Sequence, residues 1–339
     1  MLTHVDGSFG EVYKSEYRGN DVAVKTMKQI DAESLDQFQE EILLMSDLRH
    51  QNIVSMIGCC WERNLMALVM EFCEKGTSSE VLKVEGSQFS WDDPLLKWAK
   101  DTSKGMAYLH GMMYWDVHTK TSVKGVLHRD LKPDNCLVTE SFGIRIADFG
   151  ESRALTESTM TQVGTPMYVA PEVVKGEKYS GKADVFSFAL TLTAFAMKGK
   201  YSLEEYLLEE FSKTFPQKDA NLSRLSHALT ILDWRPSTDR LVNDPDIKLP
   251  SSIADLFIIM WASEEKLRPS FVEIGDYLDE TVRREVMDGA GGSGARRTST
   301  SGGLSIKIGT RKAAVQAEEE GAAERIKELE QELAKLRSL

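Results

Sequence analysis

His128-Arg129-Asp130-Leu131-Lys132-Pro133-Asp134-Asn135 is the octet on which the reading of this chain turns. Pro133 disfavours helix for itself and for Lys132, so the octet lies in a loop between elements. Within six residues it collects a base (Asp130), a cation (Lys132) and an amide able to ligate a metal (Asn135). A few residues on, Ile144-Arg145-Ile146-Ala147-Asp148-Phe149-Gly150 reads as an apolar strand ending in an acid beside a glycine. A carboxylate so placed suits a hard cation such as Mg2+. Either cluster by itself serves equally well as a polar surface loop.

Working outward toward the N-terminus, Val22-Ala23-Val24-Lys25 reads as a strand, with Ala23 and Lys25 on one face and Val22 and Val24 on the other. A lysine there either lies at an edge with its head in water or is held by a carboxylate. The next segment, Ala32 to Leu48, carries Leu35, Phe38, Ile42, Met45 and Leu48 at helical spacing. Glu41 falls on that apolar stripe, whereas Glu40 points sideways, and a carboxylate aimed at a buried face wants a cation. Lys25 is the natural partner. Ahead of the strand, Asp6-Gly7-Ser8-Phe9-Gly10-Glu11-Val12 has two glycines that let backbone N–H groups approach a phosphate chain, though an ordinary hairpin tip reads the same way.

In this order the pieces resemble the eukaryotic protein kinases, with DGSFGEV as the Gly-rich loop, VAVK, Glu41, HRDLKPDN, DFG and Ala170-Pro171-Glu172. The resemblance covers about residues 1–285. It implies an α+β fold of two lobes: a small β-rich N-lobe with one helix over about 1–72, a hinge near 71–76, and a larger α-rich C-lobe over about 77–285. It also implies ATP as cofactor, with Mg2+ or alternatively Mn2+. Gly7 and Gly10 then cover the phosphates, and Lys25, paired with Glu41, holds them. Asp148 and Asn135 hold the metal, Asp130 accepts the proton of the acceptor hydroxyl, and Lys132 neutralises the transferring phosphoryl group. Val12, Ala23 and Leu137 match the residues that sandwich adenine, with Met70 as gatekeeper and backbone groups of Glu71 and Cys73 facing the base. Met45, Met56, His128 and Phe149 match an internal spine, Asp184 the acid that holds the catalytic loop, and Glu172 with Arg268 a structural pair.

Lys132 and the stretch Gly164-Thr165-Pro166-Met167-Tyr168 resemble Ser/Thr kinases, whereas Trp234-Arg235-Pro236, Met260-Trp261 and Arg268-Pro269-Ser270-Phe271 resemble the tyrosine-kinase-like branch. The expected activity is phosphoryl transfer to Ser/Thr hydroxyls of protein substrates. A dual-specificity or tyrosine-directed kinase and a pseudokinase scaffold are the alternatives. Arg129 is of a kind that pairs with a phosphate on the activation segment, where Thr159 or Thr161 is the expected phosphosite. The family pattern is broken in three places: Val5 replaces the first loop glycine, few residues precede that loop, so a truncated start is expected, and Gly111 to Gly125 is long enough for a surface hairpin or docking site.

The chain has 339 residues, 42% of them hydrophobic and 28% charged, which excludes a wholly disordered chain. Its 41 basic and 53 acidic residues give −12, a poor match to a nucleic-acid binder. The most apolar stretch, Phe186 to Met197, falls short of the roughly 20 residues of a membrane span and reads as a buried helix. Four cysteines without paired spacing read as reduced, buried thiols of a cytoplasmic protein. Residues 286–312 are rich in Gly, Ser and Thr and read as a linker that includes the phosphosite-like Arg296-Arg297-Thr298-Ser299. Residues 313–339 read as a helix in which Ile326, Leu329, Leu333 and Leu336 form a seam for a short coiled coil and self-association.

Overall fold

The N-lobe is one antiparallel sheet of β1 (His4–Asp6), β2 (Gly10–Tyr17), β3 (Asn20–Met27), β4 (Met56–Glu62) and β5 (Leu65–Glu71), in the order β1-β2-β3-β5-β4. Arg18 and Gly19 both take positive φ, 53° and 80°, as a two-residue hairpin turn requires, and so fix β2 against β3 with Tyr17 opposite Asn20. Between β3 and β4 runs α1 (Ala32–Asp47), whose Phe38, Leu44 and Met45 are buried. Our computed structural model describes residues 4–6, 10–27, 32–62, 65–116, 120–154, 164–216, 219–289 and 307–317.

The apolar run from Ile53 does not enter β4 at once. Ile53 bridges Ile146, and the Val54 amide donates to Ile146 O at 2.9 Å, so this backbone is spent on the other lobe and the strand starts at Met56. Cys59 on β4 is exposed and Cys60 half-buried, which corrects the expectation of four buried thiols: β4 keeps its register only through a bulge between Met56 and Gly58 and shows solvent one face.

The C-lobe begins with α2 (Ser78–Glu85) and α3 (Leu95–Gly111) and continues through the short strands β6 (Met113–Asp116), β7 (Thr121–Lys124), β8 (Val126–Leu127), β9 (Cys136–Val138), β10 (Ile144–Ile146) and β11 (Arg153–Ala154). β6 and β7 form a hairpin within the long Gly111–Gly125 connection, with Met113 and Trp115 exposed and Asp116 buried. The helices α4 (Pro171–Val174), α5 (Lys182–Ala196), α6 (Leu203–Thr214), α7 (Leu222–Thr230), α8 (Asp239–Asn243), α9 (Ser251–Met260), α10 (Phe271–Tyr277) and α11 (Arg283–Gly289) complete the lobe. Helix α5 is apolar all round and is the core against which α3 and α9 pack, with Trp98 edge-on to Phe195 at 5.3 Å. Among the described residues no helix is long and apolar enough to cross a membrane.

Two sequence boundaries shift at the C-terminal end. Helix α11 runs to Gly289, and residues 307–317 are helical, so helix begins within the stretch read as linker. The seam at Ile326, Leu329, Leu333 and Leu336, the Arg296–Ser299 motif and the expected phosphosites Thr159 and Thr161 lie outside the described residues.

Candidate active site

Two clusters of charged side chains form where the N-lobe sheet meets the C-lobe loops. In the first, β3 carries Lys25 inward to a buried position and α1 presents Glu41 to it. Lys25 Nζ donates to Glu41 Oε1 at 2.7 Å, to Glu41 Oε2 at 2.9 Å and to Asp148 Oδ1 at 2.9 Å. An ammonium has three N–H bonds, so its donors are filled. Burial by itself would pull the Lys25 pKa down, but the charges of Glu41 and Asp148 and their hydrogen bonds hold it above its ordinary value. Asp148 shows the converse: burial disfavours its charge, yet Lys25 keeps its carboxyl below the usual range.

The second cluster centres on Asp130, 6% exposed on the loop before β9. Its Oδ2 accepts from Lys132 Nζ at 2.7 Å and from Asn135 Nδ2 at 3.0 Å, and its Oδ1 accepts from the Thr165 amide at 3.0 Å and hydroxyl at 2.8 Å. Lys132 Nζ also donates to Thr165 Oγ1 at 2.7 Å. The clusters are tied by the Ala147 amide, which donates to Asn135 O at 2.9 Å, one residue before Asp148.

Strained backbone marks both clusters. Arg129 and Asp148 have φ of 69° and 63°, in the left-handed region that side-chain-bearing residues avoid. For Arg129 the restraint is visible: Asp184, on the first turn of α5, accepts the amides of His128 and Arg129 at 2.9 and 2.8 Å. Asp184 is buried, which disfavours its charge, but a bond from His110 Nε2 at 2.8 Å and these amides keep its carboxyl below the usual range. Arg129 Nε donates to Glu151 O at 2.6 Å.

The residues expected beside adenine lie on β2 (Val12), β3 (Ala23), β5 (Met70) and β9 (Leu137). Val12 sits opposite Lys25, Ala23 lies opposite both Lys14 and Met70, and Leu137 bridges Thr77; all four of Val12, Ala23, Met70 and Leu137 are half-buried. The Glu71 amide donates to Ser55 O at 3.0 Å, and the Cys73 carbonyl accepts from the Gly76 amide at 3.2 Å. Burial pushes the Cys73 thiol up to about 12, so it packs as an apolar group. Gly10 opens β2 opposite Met27; Gly7 lies outside the described residues. His128 and Phe149 touch with ring centroids 5.3 Å apart, Met45 is buried and Met56 half-buried. Arg268 meets Glu172 through Nη1 at 2.6 Å and Nη2 at 2.9 Å. Thr165 is the residue that sequence reasoning left without a place in the site. Its signal was no more than a threonine in a stretch quoted for substrate class.

Residues 6–277 match the family model for the protein kinase domain. Serine/threonine-protein kinase STY17 of Arabidopsis thaliana is 32% identical over 283 residues, covering 82% of this chain and 43% of the relative. Serine/threonine-protein kinase CTR1 of the same plant is 30% identical over 286 residues, covering 83% and 31%. Dual specificity protein kinase shkB of Dictyostelium discoideum is 30% identical over 276 residues, covering 79% and 37%. The chain thus spans less than half the length of these curated relatives. A family match over most of its length, joined to relatives of this kind, makes the chain a member of the eukaryotic protein kinases, in their tyrosine-kinase-like branch.

Proposed function

We propose that this chain is an ATP-dependent protein kinase that transfers the γ-phosphoryl group to Ser or Thr hydroxyls of protein substrates. The observation that carries the reading is the Asp130 carboxylate, held by Lys132, Asn135 and Thr165. Positioning and charge neutralisation do most of the work in phosphoryl transfer, so pre-set donors and acceptors of this kind are what the reaction asks for.

Membership of the family implies ATP and a divalent metal. The donor set here suits a hard cation: Asn135 spends its Nδ2 on Asp130 and so has Oδ1 to offer, and Asp148 meets Lys25 through Oδ1 with Oδ2 besides. Asp148 and Asn135 would hold Mg2+, with Mn2+ as the alternative; bound there, the metal supplies charge neutralisation at the phosphates. Lys25 can exchange its Asp148 contact for phosphate oxygens while Glu41 keeps it in place. Gly7 and Gly10, lacking side chains, would let the loop backbone approach the phosphate chain. Asp130 Oδ1, which accepts a hydrogen bond from the Thr165 hydroxyl, is the atom that would take the acceptor hydroxyl's proton, and Lys132 would neutralise charge on the transferring phosphoryl group. The Glu71 carbonyl and Cys73 amide would meet the adenine edge between Val12, Ala23 and Leu137, with Met70 behind.

The test is transfer of labelled γ-phosphate from Mg-ATP to a mixed protein substrate, followed by phosphoamino-acid analysis. Label on Ser and Thr supports the reading. Label on Tyr as well would move the chain to dual specificity. Tight nucleotide binding without any transfer would leave a scaffold and refute the proposal.

A further inference from the structure

The family match ends at Tyr277, yet the described structure continues to the helix over 307–317. Its exposure has one pattern. Ile308 and Val315 are 2% and 3% exposed, Arg311 and Lys312 are half-buried, and most of the positions between them face solvent. Steps of three, one and three residues put these four side chains on one face. Eleven residues that include Gly309 do not hold a helix in water unaided, so its order comes from what that face rests on.

The seat is acidic around an apolar centre. Arg311 Nη2 donates to Glu273 Oε1 at 3.1 Å on α10, and Lys312 Nζ pairs with Asp255 on α9. Ile308 is buried as part of the protein's hydrophobic core. Glu273 also caps α10 by accepting the Ser270 amide at 2.9 Å, so its carboxylate is held by its own helix as well as by the arginine. The charges are complementary: residues 307–317 hold three basic residues and no acid, whereas residues 1–287 carry −13.

We propose that the α9–α10 face of the C-lobe is a docking surface for a basic amphipathic helix, and that residues 307–317 of the same chain are its occupant. The kinase module of this protein then runs to about residue 317, some forty residues past the end of the family match. Seventeen residues, 290–306, join α11 to the helix. A tether of that length gives an effective concentration in the millimolar range, so at micromolar protein the chain's own helix prevails over a second copy's by about a thousandfold.

Hydrogen exchange read by mass spectrometry on the full chain, at two protein concentrations tenfold apart, tests this. The amides of 307–317 should be protected equally at both concentrations. Lys312→Asp and Asp255→Lys should each lower that protection at least tenfold, and the double variant, which restores the pair in reverse, should recover most of it. Neither residue belongs to the catalytic or binding machinery, so phosphotransfer by these variants reports that the domain is folded. Amides that exchange at the rate of a free peptide, or charge reversals without effect, would overturn the proposal. Protection that rises with concentration would seat a second copy's helix there and equally refute occupancy by the chain's own.

Discussion

Arg268→Met is the substitution whose cost the structure specifies most fully. The Arg268 side chain is 0% exposed and uses its whole guanidinium: Nε to Ala262 O at 2.7 Å, Nη1 to Glu172 and Lys182 O, Nη2 to Glu172 and Ser263 O. It also lies over the Phe186 ring at 5.2 Å, so methionine retains the packing and loses only the polar part. Glu172, with 7% of its side chain exposed, is then left as a buried carboxylate without its cation. Removing one partner of a buried pair costs about 3–5 kcal/mol. Set against a total stability of about 5–15 kcal/mol, that makes the C-lobe marginal and lowers the thermal midpoint by roughly 10 °C. Urea unfolding followed by tryptophan fluorescence gives the number. Adding Glu172→Gln to the variant removes the stranded charge and should return at least about 1 kcal/mol. A loss below about 1 kcal/mol for Arg268→Met alone would refute the argument that this pair anchors the end of the activation segment.

Three further outcomes follow from the site. Lys25→Met, which strips the cation from Glu41 and Asp148, should lower kcat/KM at least about 100-fold in steady-state transfer assays. Thr165→Ala should cost about tenfold in kcat, the worth of one hydrogen bond to a charged group, and Thr165→Ser should restore it because the hydroxyl is what touches Asp130 and Lys132. Asp184 has a carboxyl depressed in the folded state, so its contribution is present above the unfolded value near pH 4 and is lost as pH falls through the folded one. Acid unfolding below about pH 4 should therefore be less steep in Asp184→Asn, which has no proton to take up; equal steepness would contradict the assignment.

The catalytic parts were legible because each is a short run whose chemistry survives without knowledge of the fold. Periodicity placed Glu41 on a helical stripe with Phe38 and Met45, and the need of a buried carboxylate for a cation then pointed to Lys25. The contact of Lys25 with Asp148, across 123 residues of sequence, could not be read this way: only β9 and β10, folded beneath the sheet, bring them to 2.9 Å. Thr165 stayed hidden for the same reason, because its partner Asp130 lies 35 residues away and no local pattern marks a threonine that caps a carboxylate. The first half of the docked helix, 307–312, was read as linker on composition, while 313–317 fell within the stretch read as helix. With two large apolar side chains seven residues apart and a glycine between, it has no stripe that reads as amphipathic until the acidic face of α9 and α10 is known.

The central claim is that Asp130 is the base of a working phosphotransfer site. The most direct measurement is single-turnover transfer of labelled phosphate by the parent and by Asp130→Asn, at saturating Mg-ATP. Asn keeps the shape but has one acceptor oxygen where Asp130 has two, so it can accept from Lys132 or from the Thr165 amide and not from both; the thermal midpoint should fall modestly while nucleotide affinity stays close to that of the parent. The rate should fall about 100- to 10,000-fold, the range in which a positioned general base acts. An unchanged rate in a folded, nucleotide-binding Asp130→Asn would contradict the account.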